Sequence, residues 1–322
     1  MHAAVLHKIG AVPRYEEFPE PDISDKDNEA IVHVHAASLK PVDKQMASGA
    51  HFASGRELPR VCGTDGVGHL DDGQRVFFGG PRPPHGAMAE RTVVPRAFTF
   101  PIPESVDDAT AAALPNPGVS AWLSLAYRAK LARGENVLIL GATGITGKLA
   151  VKIAKLLGAA RVVAAGRNQQ VLDTLTDLGA DATISLALSA TELADAFLHE
   201  AGQSGFQVVI DYLWGAPAEA FFAAITRKEF AAIQSETRFV QVGESAAPTI
   251  TLPAAVLRST ALTILGSAGI PPRDVLVEAL QQVMAHAARG NLHIDTEKIP
   301  LADIENAWRR DQLRSRLVIM TE

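Results

Sequence analysis

The sequence predicts an α/β protein in which a doubly wound parallel sheet is joined to a smaller β-rich domain. Between residues 135 and 266, short apolar runs alternate with amphipathic helical segments, which is typical of a parallel sheet covered by helices. Residues 1–115 combine strand-like runs with frequent glycines, as in a small, tightly turned barrel. The segment from residue 294 onward has the same texture as the first, so we expect it to complete that domain. We therefore predict one domain over 1–116 and 289–322 and a second over 117–288.

Length and composition exclude several classes of protein. The 322 residues suffice for two domains, each with its own core. The net charge of −6 is scattered, which argues against nucleic acid or an anionic membrane as the main partner. A single cysteine, Cys62, excludes a disulfide framework. The N-terminus lacks the pattern of a signal peptide and no apolar run is long enough to cross a membrane, so we expect a cytoplasmic protein.

The first domain is predicted to contain strands over Ala3–Leu6 and Ile31–Ala37. In the second of these, His33 and His35 share one face. Two such histidines could ligate a metal, but without a third ligand nearby we interpret them as the polar face of an antiparallel strand. Further along, the helix-prone stretch after residue 107 is interrupted at LPNPG (114–118), which predicts a kink between two helices.

A glycine-rich turn stands between the strand Asn136–Leu140 and a helix predicted near 145–157. From Ala142 it reads A-x-G-x-x-G. Such a turn lets a pyrophosphate approach the backbone, and the helix start offers free N–H groups and the positive end of its dipole. A tight corner without a ligand is the alternative. The strand–turn–helix context favours a dinucleotide site, and its predicted pyrophosphate contacts are Gly141, Ala142, Thr143, Gly144 and Ile145.

The next strand, Arg161–Ala165, is followed by Gly166, Arg167 and Asn168. An NAD site carries Asp or Glu at this strand end to bind the ribose hydroxyls, and neither is present. The Arg167 guanidinium could instead pair with a 2′-phosphate. A solvated arginine is the alternative. We predict NADP(H) as the cofactor, with these three residues at the adenosine phosphate.

The remaining strands are predicted over Ala182–Ser185, Gln207–Tyr212, Arg238–Val242 and Leu262–Gly266, with helices near 168–178, 189–201, 215–229 and 273–289. Ligands of such sheets bind at the carboxyl ends of the strands. We therefore place the nicotinamide half of the cofactor at the backbone of Val242, Gly243, Gly266 and Ser267, and the adenine beside Leu213. Ser120 is predicted either to reach a cofactor phosphate or to cap a helix. Asp211 is interpreted as a cap of the turn after its strand.

These segments together resemble the medium-chain dehydrogenase/reductase superfamily, in particular its zinc-independent quinone oxidoreductase (zeta-crystallin-like) branch. The matching pieces span nearly the whole chain and include AASLKPVD, CGTDGVG, GAMAERTVVP, DDATAAALPNPGVSAW, GENVLILGATGITG and PLADIENAW. The resemblance implies a GroES-like β-barrel catalytic domain and a Rossmann domain. It also implies a homodimer formed through an edge strand, here Leu262–Gly266.

The resemblance bears on metal and catalysis at two positions. Zinc-dependent members carry a cysteine and a histidine where this chain has Lys40 and Thr64, which do not supply zinc ligands, so no metal is predicted. Lys40 is the predicted catalytic residue, because its ammonium could stabilise an oxyanion and supply a proton. The alternative is a structural ion pair of Lys40 with Asp43 or Asp65.

The resulting prediction is an NADPH-dependent enzyme that transfers hydride to a small-molecule quinone or α,β-unsaturated carbonyl without zinc. One alternative is a zinc-free alcohol dehydrogenase. Another is a protein that binds NADPH as a sensor or structural component without significant turnover.

Overall fold

The computed structural model describes residues 1–51, 54–55, 57–228, 236–267, 271–311 and 315–321. The chain divides into two compact units. The first unit comprises Met1–Pro115 together with Met284–Glu322, and the second comprises Asn116–Val283.

The first stretch of the chain is mainly β-structure, and its predicted strands near residues 3 and 31 are confirmed. Its strands are β1 (His2–Leu6), β2 (Arg14–Glu17), β3 (Glu29–Ser38), β4 (Arg60–Val61), β5 (Asp65–Leu70), β6 (Arg75–Gly79), β7 (Arg91–Pro95) and β8 (Thr99–Pro101). Its helices are α1 (Pro41–Ser48) and α2 (Asp108–Ala113). Along β3 the side chains alternate as predicted, with Val32 and Val34 buried and His33 exposed, because successive residues of a strand face opposite sides.

Helices α2 and α3 (Pro115–Trp122) are separated at Leu114, which confirms the predicted kink. Proline at the first position of a helix lacks an N–H that would be unpaired there in any case, so Pro115 begins α3 without cost.

The second unit is built on a parallel sheet whose strands agree with the sequence prediction within one residue at each end. They are β9 (Asn136–Leu140), β10 (Arg161–Gly166), β11 (Ala182–Ser185), β12 (Val208–Asp211), β13 (Thr237–Gln241) and β14 (Leu262–Gly266). The order across the sheet is β11-β10-β9-β12-β13-β14, and every pairing is parallel. The sheet order reverses direction between β9 and β12, which is where dinucleotides bind in folds of this type.

Helices of the second unit follow its strands, and they are α4 (Ile145–Leu156), α5 (Gln169–Leu172), α6 (Ala190–Ala201), α7 (Gly215–Ile225) and α8 (Ala254–Ser259). Residue 229, the last of the predicted helix 215–229, lies outside the described residues. The buried side chains of α6, α7 and the sheet include an aromatic cluster of Phe197, Phe206, Phe221, Phe222 and Phe239.

The predicted helix over 168–178 is wrong in its second half, since α5 ends at Leu172. Beyond it the backbone forms turns, in which Leu175 donates to the carbonyl of Leu172 and Leu178 to that of Leu175. The hydroxyl of Thr174 also bonds the carbonyl of Val171 at 2.8 Å. Such local side-chain bonds compete with the helical pattern.

The chain ends with α9 (Arg273–Ala288), β15 (Thr296–Pro300), α10 (Ile304–Arg309) and β16 (Arg316–Met320). Strand β16 pairs with β3 in the first unit, with Val318 opposite Ser38. No helix among the described residues is long and apolar enough to span a membrane.

Candidate functional site

The glycine-rich turn after β9 requires glycine at two positions. Gly141 has a φ of +88°, which favours glycine over residues with a side chain. At Gly147, in the first turn of α4, a Cβ atom would lie 2.3 Å from the carbonyl oxygen of Gly141 and 2.6 Å from the Cα of Ala142. These contacts hold the start of α4 against the turn. The sequence pattern thus corresponds to a close approach of helix and strand end.

The N-terminus of α4 has no side-chain cap, since Gly144 occupies the capping position. The first N–H groups of any helix lack partners within it. Near Gly144 there is room, because a Cβ there would meet no atom closer than 3.5 Å. Uncapped donors, open space and the helix dipole make this a suitable place for an anion.

The carboxyl end of β10 lies beside this turn. Gly166 packs so closely against Thr143 that a Cβ would lie 2.3 Å from its Cγ2 atom. Arg167 follows and is exposed. Asn168 caps α5, its side chain accepting a hydrogen bond from the N–H of Val171 at 3.2 Å. Of the three predicted phosphate contacts, Arg167 is therefore an exposed cation, whereas the Asn168 side chain is already engaged in capping a helix.

Asp211 ends β12 and caps the following turn, which confirms its interpretation from the sequence. Its carboxylate accepts hydrogen bonds from the N–H of Leu213 at 2.9 Å and of Trp214 at 3.1 Å. Burial raises the pKa of this carboxyl to about 6, although both hydrogen bonds act to lower it. The side chain of Leu213 lies over the glycine turn, its Cδ2 being 3.1 Å from where a Cβ of Gly141 would be.

The later strand ends lie on the same edge of the sheet. Residue pairing sets Leu140 beside Asp211, Asp211 beside Gln241, and Gln241 beside Gly266. The N–H groups of Val242 and Gly243 both donate to the carbonyl of Asp211, at 2.7 and 3.1 Å. A ligand would therefore find these two predicted donors already engaged.

The N–H of Ser267 likewise donates to the carbonyl of Gln241, at 2.9 Å. Gly266 is exposed, and a Cβ there would meet no atom within 4 Å. Ser120 lies half-buried in α3, within the same unit. The structure thus groups the predicted residues of strands β9, β10, β12, β13 and β14 at one sheet edge, while Ser120 lies on a separate helix.

The first unit contains a buried ion cluster around Lys40. This side chain is fully buried, and its Nζ lies 2.8 Å from Oδ1 of Asp65 and 3.3 Å from Oδ2 of Asp43. It also donates to the carbonyl of Ser38 at 3.1 Å. These contacts correspond to the ion-pair alternative for Lys40. The two nearby carboxylates raise its pKa against the opposing effect of burial, so Lys40 is a cation at neutral pH.

Thr64 completes this cluster. Its N–H and its hydroxyl both donate to Oδ1 of Asp43, at 3.1 and 3.0 Å, and the hydroxyl lies 3.3 Å from Oδ2 of Asp65. Burial and the neighbouring Asp43 carboxylate raise the pKa of Asp65, although Lys40 acts in the other direction. The α1 N-terminus supports the arrangement, because the other oxygen of Asp43 accepts the N–H of Lys40 at 2.9 Å.

Cys62 is buried, as interpreted from the sequence. Burial raises the pKa of its thiol to about 12, so the thiolate needed of a nucleophile is scarce at neutral pH.

Two polar features escaped the sequence analysis. Nε2 of His35 lies 3.1 Å from Nδ1 of His69, and Nδ1 of His35 lies 3.2 Å from the carboxylate of Asp108. The alternation of residues along β3 predicts that His35 lies on the polar face, but it does not predict the contacts of His35 with His69 and Asp108. At the sheet edge, the buried hydroxyl of Tyr212 has no hydrogen-bond partner among the described residues. Its burial raises the pKa of the phenol.

Comparisons with known proteins bear on the whole chain. A family profile described as zinc-binding dehydrogenase matches residues 146–285. A probable NADPH-dependent quinone reductase of Emericella nidulans is 25% identical over 361 aligned residues, which cover 99% of this chain and 100% of that protein. The quinone oxidoreductase of Thermus thermophilus, whose structure was also solved with NADPH, is 27% identical with a TM-score of 0.80, covering 99% of this chain and 100% of that one. Over nearly its whole length the chain is thus similar to quinone reductases, proteins of the medium-chain dehydrogenase/reductase superfamily.

Another relative is similar to a smaller part of the chain. An NADPH-dependent alkenal/one oxidoreductase of Arabidopsis thaliana is 31% identical over 176 residues, which are 49% of this chain and 45% of that protein. The fold shared with these proteins is a GroES-like barrel with a Rossmann domain, as the sequence resemblance implied.

The catalytic zinc of zinc-dependent members of that superfamily does not fit the residues present here. The positions of two of its ligands hold the ammonium of Lys40 and the hydroxyl of Thr64, and both groups contact carboxylates. An ammonium has no lone pair to offer a metal, and zinc would have to displace it. Among the described parts of the chain, no group of three or more His, Cys, Asp or Glu side chains could hold a metal ion.

Proposed function

We propose that this protein is an NADPH-dependent reductase that transfers hydride to a quinone or an α,β-unsaturated carbonyl without zinc. The observation that carries the proposal is the uncapped N-terminus of α4 at the point where the sheet order reverses, with the exposed Arg167 at the end of the neighbouring strand. Relatives named as NADPH-dependent quinone and alkenal/one reductases support it.

The cofactor residues we propose are those at the sheet edge. The turn from Gly141 to Ile145 would bind the pyrophosphate through backbone N–H groups. Arg167 would pair with the 2′-phosphate of NADPH. An NAD enzyme has at this position a carboxylate, which would repel that phosphate. When bound, the nicotinamide supplies hydride. The protein's part is to orient the ring, exclude water and stabilise the oxyanion that forms on the substrate.

For Lys40 we propose a structural role in place of the predicted catalytic one. Its side chain is fully buried and its donors are engaged by Asp43, Asp65 and Ser38. A group that polarises a substrate carbonyl has to reach the substrate, and the side chain of Lys40 is fully buried.

We also propose that the protein is cytoplasmic and forms a homodimer through β14. This strand stands at the end of the described strand order, and its side chains are exposed or half-buried. Light scattering of the intact protein would then give twice the chain mass of 34.1 kDa. A mass equal to one chain would contradict the dimer.

The test of the cofactor proposal is calorimetric titration with NADPH and with NADH. We expect Arg167→Gln to weaken NADPH binding about 10- to 100-fold, the size of one charged hydrogen bond, and to leave NADH binding unchanged. Arg258→Gln is the matched control, because Arg258 is an exposed arginine of the same unit that precedes β14. Equal affinity of the unaltered protein for both nucleotides would contradict the assignment.

The reaction is tested with two assays. One measures oxidation of NADPH by 1,4-naphthoquinone and by 2-cyclohexen-1-one, and the other measures reduction of NADP⁺ by a panel of alcohols. Turnover of either carbonyl compound supports the proposal. Oxidation of alcohols alone would favour a zinc-free alcohol dehydrogenase, and tight NADPH binding without any turnover would favour a sensor.

A further inference from the structure

The side chain of Thr143 fills the space beside Gly166, the last residue of β10. A Cβ atom on Gly166 would lie 2.3 Å from Cγ2, 2.9 Å from Oγ1 and 3.1 Å from Cβ of Thr143. Two of the three staggered positions on this threonine Cβ therefore face Gly166. Since threonine fills two of the three, every rotamer leaves at least one atom there.

The turn that carries Thr143 is fixed on both sides. The N–H groups of Gly141 and Ala142 both donate to the carbonyl of Ala165, each at 2.9 Å, which ties the turn to β10 and leaves the pyrophosphate to the later N–H groups of the turn. On the other side, a Cβ on Gly147 of α4 would lie 2.6 Å from the Cα of Ala142. Thr143 therefore cannot withdraw from the end of β10 without loss of these contacts.

This packing bears on the choice of nucleotide. Enzymes that use NAD bind its ribose hydroxyls through an Asp or Glu at the end of this strand. Beside Thr143 there is no room for such a side chain at Gly166. The threonine hydroxyl lies there instead, with its Oγ1 2.9 Å from where the first side-chain atom would be. An ionised carboxylate only accepts hydrogen bonds, whereas a hydroxyl can donate one to a phosphate.

Thr143 and Arg167 offer hydrogen-bond donors from two neighbouring elements. Thr143 lies in the turn after β9 and is half-buried, and Arg167 directly follows β10 and is exposed. The hydroxyl of Thr143 has no hydrogen-bond partner among the residues that the structure describes, so its proton is available to a ligand. The three terminal oxygens of a phosphate can accept from a guanidinium and a hydroxyl at once.

We propose that Thr143 selects NADPH over NADH, because its side chain excludes an acidic residue from the end of β10 and its hydroxyl donates a hydrogen bond to the 2′-phosphate. The inference rests on the proposed function and adds a specificity-determining residue to the proposed cofactor site. The turn then contacts two phosphate groups of the nucleotide, the pyrophosphate through its backbone and the 2′-phosphate through the side chain of Thr143.

Binding is measured by calorimetry with NADPH, NADH, 2′,5′-ADP and 5′-AMP. The last two differ only in the 2′-phosphate, so this pair isolates its recognition. Thr143→Val keeps the shape of the side chain and loses the hydroxyl, whereas Thr143→Ser keeps the hydroxyl. Thr226→Val is the matched control, because α7 starts at the carboxyl edge of the sheet, and Thr226 lies at its other end with its hydroxyl bonded to the carbonyl of Ala223 at 2.8 Å.

We expect Thr143→Val to weaken binding of NADPH and of 2′,5′-ADP about 10-fold or more, the size of one hydrogen bond to a charged group, and Thr143→Ser to restore both within about threefold. Binding of NADH and 5′-AMP should be unchanged. Undiminished affinity of Thr143→Val for 2′,5′-ADP, or an equal loss for 5′-AMP, would overturn the inference. If the unaltered protein still preferred NADPH, the proposed function would stand without it.

A second measurement tests the packing without any nucleotide. Gly166→Ala should lower the melting temperature by about 5 °C or more, because the added atom overpacks the contact with Thr143. In a Thr143→Ala background, which lacks the atoms at 2.3 and 2.9 Å, the same substitution should lower it less than about half as much. Gly79→Ala is the matched control, since Gly79 ends β6 and a Cβ there would meet no atom within 4 Å.

Additive melting shifts of Thr143→Ala and Gly166→Ala would overturn the inference, whichever nucleotide binds. So would an unaltered protein that binds 2′,5′-ADP no more tightly than 5′-AMP. Neither measurement requires turnover, so a protein that reduces neither carbonyl probe would contradict the proposed function and still decide the role of Thr143.

Discussion

Replacement of Lys40 by methionine should destabilise the first unit severely. Methionine keeps most of the length of the side chain but removes the ammonium that lies 2.8 Å from Asp65 and 3.3 Å from Asp43. Both carboxylates are buried, and breaking a buried ion pair from one side costs about 3–5 kcal/mol, because the remaining charge is left uncompensated. We expect a loss of that size in the free energy of unfolding at pH 7.

Lys44→Met provides the matched control, because Lys44 is one helical turn further along α1. Its Nζ lies 2.8 Å from the carbonyl of Arg310 and 3.4 Å from a carboxylate of Asp311 that is 86% exposed. Pairs of that kind contribute about 1 kcal/mol or less. The difference between the two variants therefore isolates the effect of burial.

The assay is urea unfolding followed by the fluorescence of Trp308. The sequence has three tryptophans, and replacing Trp122 and Trp214 by phenylalanine leaves Trp308, which is buried in the first unit. The deficit of Lys40→Met should shrink as the pH falls, since loss of the ammonium raises the pKa of Asp65 further. A raised carboxyl pKa gives stability at low pH that is lost as the pH rises. Equal unfolding free energies for Lys40→Met and Lys44→Met would refute the reasoning.

Three further predictions concern other parts of the chain. Gly147→Ala should lower the free energy of unfolding by at least about 1–3 kcal/mol and weaken NADPH binding, because its Cβ would clash with backbone atoms at 2.3 and 2.6 Å. Gly79→Ala, whose Cβ would meet no atom within 4 Å, should leave both quantities unchanged. Thermal melting and NADPH titration measure the two effects. Folding raises the pKa of Asp211 from 3.8 to about 6, so the ionised form destabilises the folded state. As the pH rises from 4 to 7, the free energy of unfolding of the unaltered protein should fall by up to about 3 kcal/mol relative to that of Asp211→Asn. A difference in urea unfolding that does not change with pH would contradict this prediction. With a thiol pKa near 12, Cys62 should react with iodoacetamide at pH 8 about 100-fold or more slowly in the native protein than in the unfolded one, and comparable rates by mass spectrometry would refute its burial.

Much of the second unit could be predicted from the sequence because its signals are local. A strand buried on both faces reads as a short apolar run, and the glycine turn between Leu140 and Ile145 has one dominant physical use. The sequence analysis assigned Asn168 to the cofactor phosphate, but its role as a helix cap could also be predicted, since asparagine just before a helix is a common cap. The end of α5 at Leu172 could not be predicted, because the turns beyond it depend on weak competing hydrogen bonds such as that of the Thr174 hydroxyl.

The ion cluster shows where local signals end. The sequence named Asp43 and Asp65 as alternative partners of Lys40, and the fold brings both to it at once. Asp43 is three positions away on the same helix start, which a pattern can anticipate, whereas Asp65 arrives from β5. The contact of Thr64 with both carboxylates, and the pairing of His35 with His69, likewise depend on how strands align in space.

The pairing of β16 with β3 has a consequence for the order in which the chain can fold during synthesis. The second unit is continuous from Asn116 to Val283, so all of it is synthesised before the tail. The first unit is made earlier but acquires the strand opposite Ser38 only when Val318 emerges. The first unit of a nascent chain therefore lacks one of its strands until the tail emerges. A premature stop codon shortly before residue 316 would leave the β3 edge that β16 covers open to pair with other chains.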